Sequence, residues 1–373
     1  MSMRISEAFE ESVLPPIVAL LLAAVVGDAL ILTFGQSPGA VFRLLLDGTW
    51  GNAYGFGQVL YKATTLTFTG LAVGLGLRAG LFNIGAESQL AAGGFCAALV
   101  GLMLPPGIPA LLCLPLYLLA AALGGGVVGG AAGVLKSRFG AHEVITTIML
   151  NFIVLALLNY FTSTRLHVPE TLHTNAIRSG ALPRLDQFMA GFHGSAANIT
   201  ILLAIVAALM LGWYLFRTRR GFELRAVGLQ PAAAEYAGVN VASVTWRALA
   251  VSGAIAGLGG LNYVLGYKHY YEEGFATGAG FLGIAVAIVG RSHPVGIVLA
   301  ALLFATLSQG GLAVNALVPK QMVDVLQAVV IIAVSVSVPE VRRLLRGSRA
   351  PATGPASHVE PAVTPPTAAS ADV

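Results

Sequence analysis

The sequence predicts an all-α polytopic membrane protein of about ten transmembrane helices, with short or broken helices near the centre. Three observations carry that prediction. Only 10% of the 373 residues are Asp, Glu, Lys or Arg and 56% are hydrophobic, with a mean hydropathy of +0.81. An ordinary soluble domain carries roughly 25% charge, so this chain cannot clothe a soluble globule. Apolar runs long enough to cross about 30 Å of hydrocarbon recur along the chain. The 45 glycines allow helices to approach closely where no hydrophobic effect separates helix from lipid, which points to a packed bundle. A soluble enzyme is excluded, and so is disorder over most of the length.

Ten apolar runs follow in order: 14–34, 66–77, 90–104, 108–135, 144–161, 199–216, 244–265, 281–289, 295–314 and 323–338. The first follows Glu7, Glu10 and Glu11 instead of a basic stretch and outlasts a signal-peptide core, so it reads as a retained helix behind a cytoplasmic N-terminus at 1–13. The runs 66–77 and 281–289 are short. With ten spans, Lys136 and Arg138, the group Arg217, Arg219, Arg220 and Arg225, then Arg291 and the Arg342, Arg343, Arg346 and Arg349 group all fall on one side. Basic loops mark the cytoplasmic side, which puts both termini there. The loop 163–198, with Arg165, Arg178 and Arg184, is the exception and reads as a small extracytoplasmic structure. Residues 14–338 form the transmembrane domain, and 339–373, rich towards its end in Pro, Ala, Ser and Thr, is a mostly disordered cytoplasmic tail.

The sharpest local anomaly is 77–89, LRAGLFNIGAESQ, where Asn83, Glu87 and Gln89 interrupt an apolar context broken by glycine. Polar, irregular backbone at membrane depth is tolerated where it is buried in protein or lines a watery path, so this stretch is either a translocation route or gate, or a short loop between spans. Around 281–289 the segments GFATGAGF and GRSHP are likewise Gly/Pro-broken, and a pair of such segments marks a central site in transporters. Asn151, Asn159, Asn262 and Gln309 place amides within runs, fit to bond a polar solute or a neighbouring helix. Gly124 to Gly133 holds overlapping GxxxG spacings, a stripe for a moving or a static helix interface.

Carboxylates within runs are almost confined to Asp28 and Asp324, whereas an ion-driven carrier commonly needs charge in its core. Energy is expected from outside the chain. No Walker-type GxxxxGK[ST] or HExxH motif is present, and no catalytic constellation or metal set assembles. His167, His173 and His193 read as surface residues, Cys96 and Cys113 as neither disulfide nor metal ligands. The net charge of +4 reflects loop placement and implies no nucleic-acid partner. Between spans lies 217–241, RTRRGFELRAVGLQPAAAEYAGVNV; Pro231 followed by Ala234 and Glu235 and closed by Gly238 reads as a short helix, with Pro in its first turn and Gly past its end.

Those residues carry a family resemblance. Gly221 to Gly228 with Ala233 to Val239 resembles the cytoplasmic coupling loop of ATP-binding-cassette importer permeases of the branched-chain amino acid, ribose and nucleoside superfamily. Arg78 to Glu87 with Gln89, and His142 to Thr147 with Met149 to Asn151, are similar to blocks of its nucleoside and simple-sugar branch; Ser88 and His142 depart from the pattern. The resemblance implies a transport subunit, not an enzyme, in a bacterial inner (plasma) membrane. It binds no cofactor itself. ATP is hydrolysed by separate ATPase subunits, and a second, related permease chain, an extracytoplasmic substrate-binding protein and membrane lipid complete the partners. On this reading Asn83, Glu87, Gln89 and Asn151 line or gate the pathway, and Pro231, Ala234, Glu235 and Gly238 couple it to the ATPase. The alternative is an ion-coupled carrier or channel for a small polar solute.

Overall fold

The computed structural model describes residues 21–347, with the side chains of that range except Lys320 and 335–347. The expected N-terminal segment 1–13, the start of the first run and the end of the tail lie outside the described residues. Among the described residues there are thirteen α-helices: α1 Leu21–Thr33, α2 Pro38–Asp47, α3 Ala53–Arg78, α4 Ala86–Met103, α5 Ala110–Phe139, α6 Glu143–Phe161, α7 Thr200–Arg217, α8 Arg219–Leu229, α9 Pro231–Tyr236, α10 Val241–Val264, α11 Ala279–Val289, α12 Pro294–Ala313 and α13 Lys320–Gly347. Among the described residues there is no β-strand, only isolated bridges such as His173 with Glu272.

The all-helical class stands, but a count of about ten spans is not confirmed. Among the described residues six helices are long and apolar enough to cross a membrane, namely α4, α5, α6 with its π-turn to Leu166, α7, α10 and α12; there are seven if α1 and α2, bent by 111°, form one span. About ten were expected. The run 66–77 is no short span: it is the second half of α3, which starts at Ala53 behind an Asn52 cap whose side chain accepts the Gly55 N–H at 2.6 Å. Its first half is not an apolar run, because Gln58, Tyr61, Lys62, Thr64 and Thr65 lower the hydropathy. Sixteen residues of α3 are nonetheless buried, because protein and not lipid surrounds it. The run 281–289 is α11, whose 11 residues rise about 16 Å, half the hydrocarbon thickness.

Burial follows the solvent inversion of a membrane fold. Leu111, Leu112 and Val127 on α5, Phe152 on α6 and Trp213 on α7 project outwards, while Thr64, Thr67, Asn83, Gln89, Ser252 and Asn262 are buried. Of four apolar clusters among the described residues, the two largest fill most of the interior. One gathers α3, α7, α11 and α12 around Leu71, Leu75, Ile297 and Phe304; the other gathers α4, α5 and α10 around Leu90, Tyr117 and Leu261. The glycine stripe of α5 meets a matching one on α10: a methyl on Gly125 would collide with the Gly253 carbonyl, and one on Gly253 with that of Gly125. This resolves the stripe as a close, backbone-to-backbone packing surface.

The two ends of the bundle differ. At one, Arg78 at the end of α3 donates to the carbonyls of Ser292 (Nε, 2.9 Å) and Arg291 (3.2 Å), and Lys136 bonds Glu143 at 2.7 Å. At the other, the loop 163–198 folds down onto the segment after α10: Thr174, Ile177 and Leu182 donate backbone N–H groups to Tyr271, His269 and Leu265, and Tyr117 Oη bonds the Ser179 carbonyl at 2.8 Å. With Ile177, Leu182 and Phe192 buried, that loop is a packed cap on the bundle.

Candidate functional site

The turn between α3 and α4 positions the first half of the site. α3 stops at Arg78, Gly80 takes the left-handed conformation at φ 71°, and 81–84 run without helix into the interior before α4 begins at Ala86. Non-helical backbone there needs partners, and the flagged amides provide them. Asn83 Nδ2 donates to Gln89 Oε1 and to Ser252 Oγ, both at 2.8 Å; its Oδ1 accepts from Gln89 Nε2 at 3.1 Å and from the Gly85 N–H at 2.9 Å. All four hydrogen-bonding positions of the Asn83 amide are thus used. Ser252 Oγ donates in turn to the Ala72 carbonyl, so the knot ties α3, the turn, α4 and α10 together. Asn151 fixes α6 to the same turn, donating to the Ile84 carbonyl at 2.9 Å and accepting the Ser88 N–H at 3.0 Å, and Thr147 accepts the Ile84 N–H.

Glu87 is placed differently. Its carboxylate accepts the backbone N–H groups of Gly278, at 3.0 Å, and Gly280, so it caps the first turn of α11 while lying in the first turn of α4. Two helix N-termini therefore converge on one carboxylate, and their dipoles favour its negative charge. The approach is close, since a methyl on Gly280 would collide with the backbone of Glu87. The two Gly-broken segments noted in the sequence meet here. Glu87 also faces a small cavity of about 80 Å³, shared with Asn159, Tyr271 and Thr277.

The structure thus brings Asn83, Gln89 and Asn151 into one buried network and sets Glu87 beside it, on a cavity. Ser252, Thr147 and the Ala72 carbonyl were not anticipated; a serine in an apolar helix carries no sequence signal for a partner 169 residues away. Asn262, by contrast, is a helix tie: its amide donates to the Tyr61 carbonyl and Thr65 Oγ1 and accepts from Asn198.

The second half of the site is the segment 217–241. Thr218 caps α8 by accepting the Gly221 N–H at 3.0 Å, and Gly221, Leu224 and Val227 turn inward. α9 begins with Pro231 and ends as the sequence predicts: Gly238, at φ 84°, donates to the Glu235 carbonyl, and Val239 donates to that of Ala234, a Schellman closure. Of α9 only Ala234 is buried; Pro231 and Glu235 are exposed, and Tyr236 is 96% exposed. Phe222 and Leu229 on α8 are exposed as well. The two halves touch through backbone. Gly228 lies against Gly80, and a methyl built on Gly80 would stand 3.1 Å from the Gly228 Cα, while one on Gly228 would collide with the Arg78 carbonyl. Arg78 and Arg225 both lie over the Phe216 ring, at 5.9 and 5.3 Å. Among the described residues no group of His, Cys, Asp and Glu could hold a metal ion.

This geometry belongs to a chain with identifiable relatives. A family model described as "Branched-chain amino acid transport system / permease component" matches residues 55–335. The guanosine ABC transporter permease protein of Bacillus subtilis is 38% identical over 332 residues, covering 87% of this chain and 93% of that one. The nucleoside ABC transporter permease protein of Lactococcus lactis is 34% identical over 331 residues, covering 87% and 91%. A glucose ABC transporter permease protein of Haloferax volcanii is 31% identical over 326 residues, covering 85% of each chain. No solved structure matches. The chain belongs to the branched-chain amino acid transport system permease family.

Proposed function

We propose that this chain, as a member of that permease family, is the membrane-spanning subunit of an ATP-binding-cassette importer that moves nucleosides or simple sugars across a bacterial inner membrane. The names of its relatives, for guanosine, nucleosides and glucose, support the solute class. Separate ATPase subunits hydrolyse the ATP and dock on the segment 217–241. That end faces the cytoplasm, as do both termini, and the cap formed by 163–198 faces outwards, where a substrate-binding protein delivers the solute. A second, related permease chain completes the path.

The observation that carries this reading is the contact of Gly228 with the Arg78–Gly80 turn. Movement of α9, through Pro231, Ala234, Glu235 and Gly238, reaches α8, and α8 presses on the turn that Asn83, Gln89 and Asn151 hold in place. That turn leads directly into Glu87 and the start of α11. Asn83, Gln89 and Asn151 gate the pathway, and Glu87 lines it. The dipoles of α4 and α11 are already met by Glu87, which leaves backbone groups and the Asn159 amide to match the hydroxyls of a neutral solute.

Reconstitution tests the assignment. Liposomes holding this chain with its ATPase, second permease and binding protein should take up guanosine or glucose only with ATP. Uptake by the chain alone, driven by an ion gradient, would establish a secondary carrier or channel instead. Within the complex, Glu87→Ala removes the carboxylate shared by two helix N-termini. It is expected to lower the uptake rate by about tenfold, since a charge-assisted pair of this kind contributes roughly 1.5–3 kcal/mol. The complex should still assemble, as judged by co-purification of the ATPase. Unchanged uptake kinetics would remove Glu87 from the pathway.

A further inference from the structure

Three arginines in the cap, Arg165, Arg178 and Arg184, run against the rule that basic residues gather at the cytoplasmic end. The structure accounts for one of them. Arg184 donates to the Tyr267 carbonyl at 2.5 Å and lies 5.3 Å over the Tyr267 ring. Arg165 and Arg178 instead line a recess of about 490 Å³ between the last turn of α4, the α4–α5 turn and the π-turn that follows α6. Leu102, Leu104 and Leu166 form its apolar part, and Asn175 adds an amide. No Asp or Glu lines it, and among the described residues neither guanidinium has an ion-pair partner.

The recess sits at a defined level. Tyr160 and Phe161 close α6 as an exposed aromatic pair, 60% and 47% accessible, of the kind that marks the boundary between hydrocarbon and headgroups. Arg165 follows one turn later. On the adjoining helix ends Met103 and Leu111 are 82% and 81% exposed, which water would penalise and acyl chains would not. Two unneutralised guanidinium groups therefore stand over an apolar floor, just beyond the level of the acyl chains.

We propose that this recess binds the phosphate headgroup of an anionic phospholipid, with Arg165 and Arg178 on the phosphate and the glycerol end of the acyl chains against Leu102, Leu104 and Leu166. A guanidinium pair matches phosphate oxygens in forked geometry, and the absence of an acid leaves that charge to be met from outside the chain. The apolar floor and exposed flanks favour a lipid over free phosphate or an acidic soluble partner. The inference does not depend on the coupling mechanism.

The test uses the full-length chain purified in detergent, with phosphatidylglycerol and phosphatidylcholine of identical acyl chains offered as ligands and bound lipid read by native mass spectrometry. The wild-type chain should retain phosphatidylglycerol with about 25-fold preference, because each of the two basic side chains near an anionic headgroup contributes on the order of a fivefold factor. Arg165→Ala with Arg178→Ala should abolish the preference, the double Lys variant should keep most of it, and Arg138→Ala at the opposite end should leave it intact. If the double Ala variant does not fold, the Gln pair gives the same reading. Three results would overturn the proposal. One is a preference unchanged by the double variant. The second is displacement by inorganic phosphate with no selectivity between the lipids, which would make this a free-phosphate site. The third is retained lipid preference with lost capture of the substrate-binding protein, which would make it a contact for an acidic polypeptide.

Discussion

Gly228→Val is expected to abolish solute uptake while leaving ATP hydrolysis by the assembled complex in place. The Gly228 backbone rests on the Arg78 carbonyl and on Gly80, with no room for a Cβ. A branched side chain must therefore push α8 off the turn. Overpacking of this kind costs about 1–3 kcal/mol, enough to shift the contact while leaving the cluster of α4, α5 and α10 untouched. The exposed surface of α8 and α9 proposed to receive an ATPase, with Phe222, Leu229 and Tyr236, is untouched. The ATPase should accordingly still co-purify and hydrolyse ATP, but solute moved per ATP should fall at least tenfold, with Gly228→Ala showing a smaller effect of the same sign. Phe222→Ala supplies the contrast, because it removes exposed surface and leaves the internal contact alone. It should weaken ATPase association instead of the transport ratio. A Gly228→Val complex with normal stoichiometry would show that motion reaches the pathway by another route.

What the sequence reveals and what it hides divides along the range of the interactions. α9 was legible because Pro231 and Gly238 act locally, through a fixed φ and an αL closure that need no distant partner. α5, α6, α7 and α12 were legible because lipid demands apolar surface over their full length. α3 was half hidden: it is wrapped by protein, so nothing requires its first half to be apolar, and a hydropathy reading starts it a dozen residues late. Asn83 and Gln89 stood out as amides in an apolar stretch, yet an amide serves a solute or a neighbouring helix equally well, and only the fold shows that these two face each other. The Gly228–Gly80 contact was invisible. It joins residues far apart in sequence through backbone alone, and a glycine in a helix has no side chain to announce what it touches.

The same fold turns Asn83→Ala into a test of what the buried amides do. With Asn83 removed, the Gln89 amide loses the partner of both its oxygen and its nitrogen, and the Gly85 N–H loses its acceptor, all in a region where Asn83 and Gln89 are 0% and 1% exposed. Buried polar groups left unpaired cost about 1–3 kcal/mol each, so the solubilised chain should melt at least roughly 5 °C lower. The loss falls on one reciprocal pair, and removing both members should therefore cost less than the two single losses added together. The double-mutant cycle of Asn83→Ala and Gln89→Ala should show a coupling of about 1–2 kcal/mol, near the upper end for hydrogen bonds between membrane helices. If these amides instead served the solute directly, the melting temperature would hardly move, the two substitutions would add, and only uptake would fall. Thermal stability and transport, measured on the same four proteins, thus separate an amide that holds the turn from one that touches the cargo.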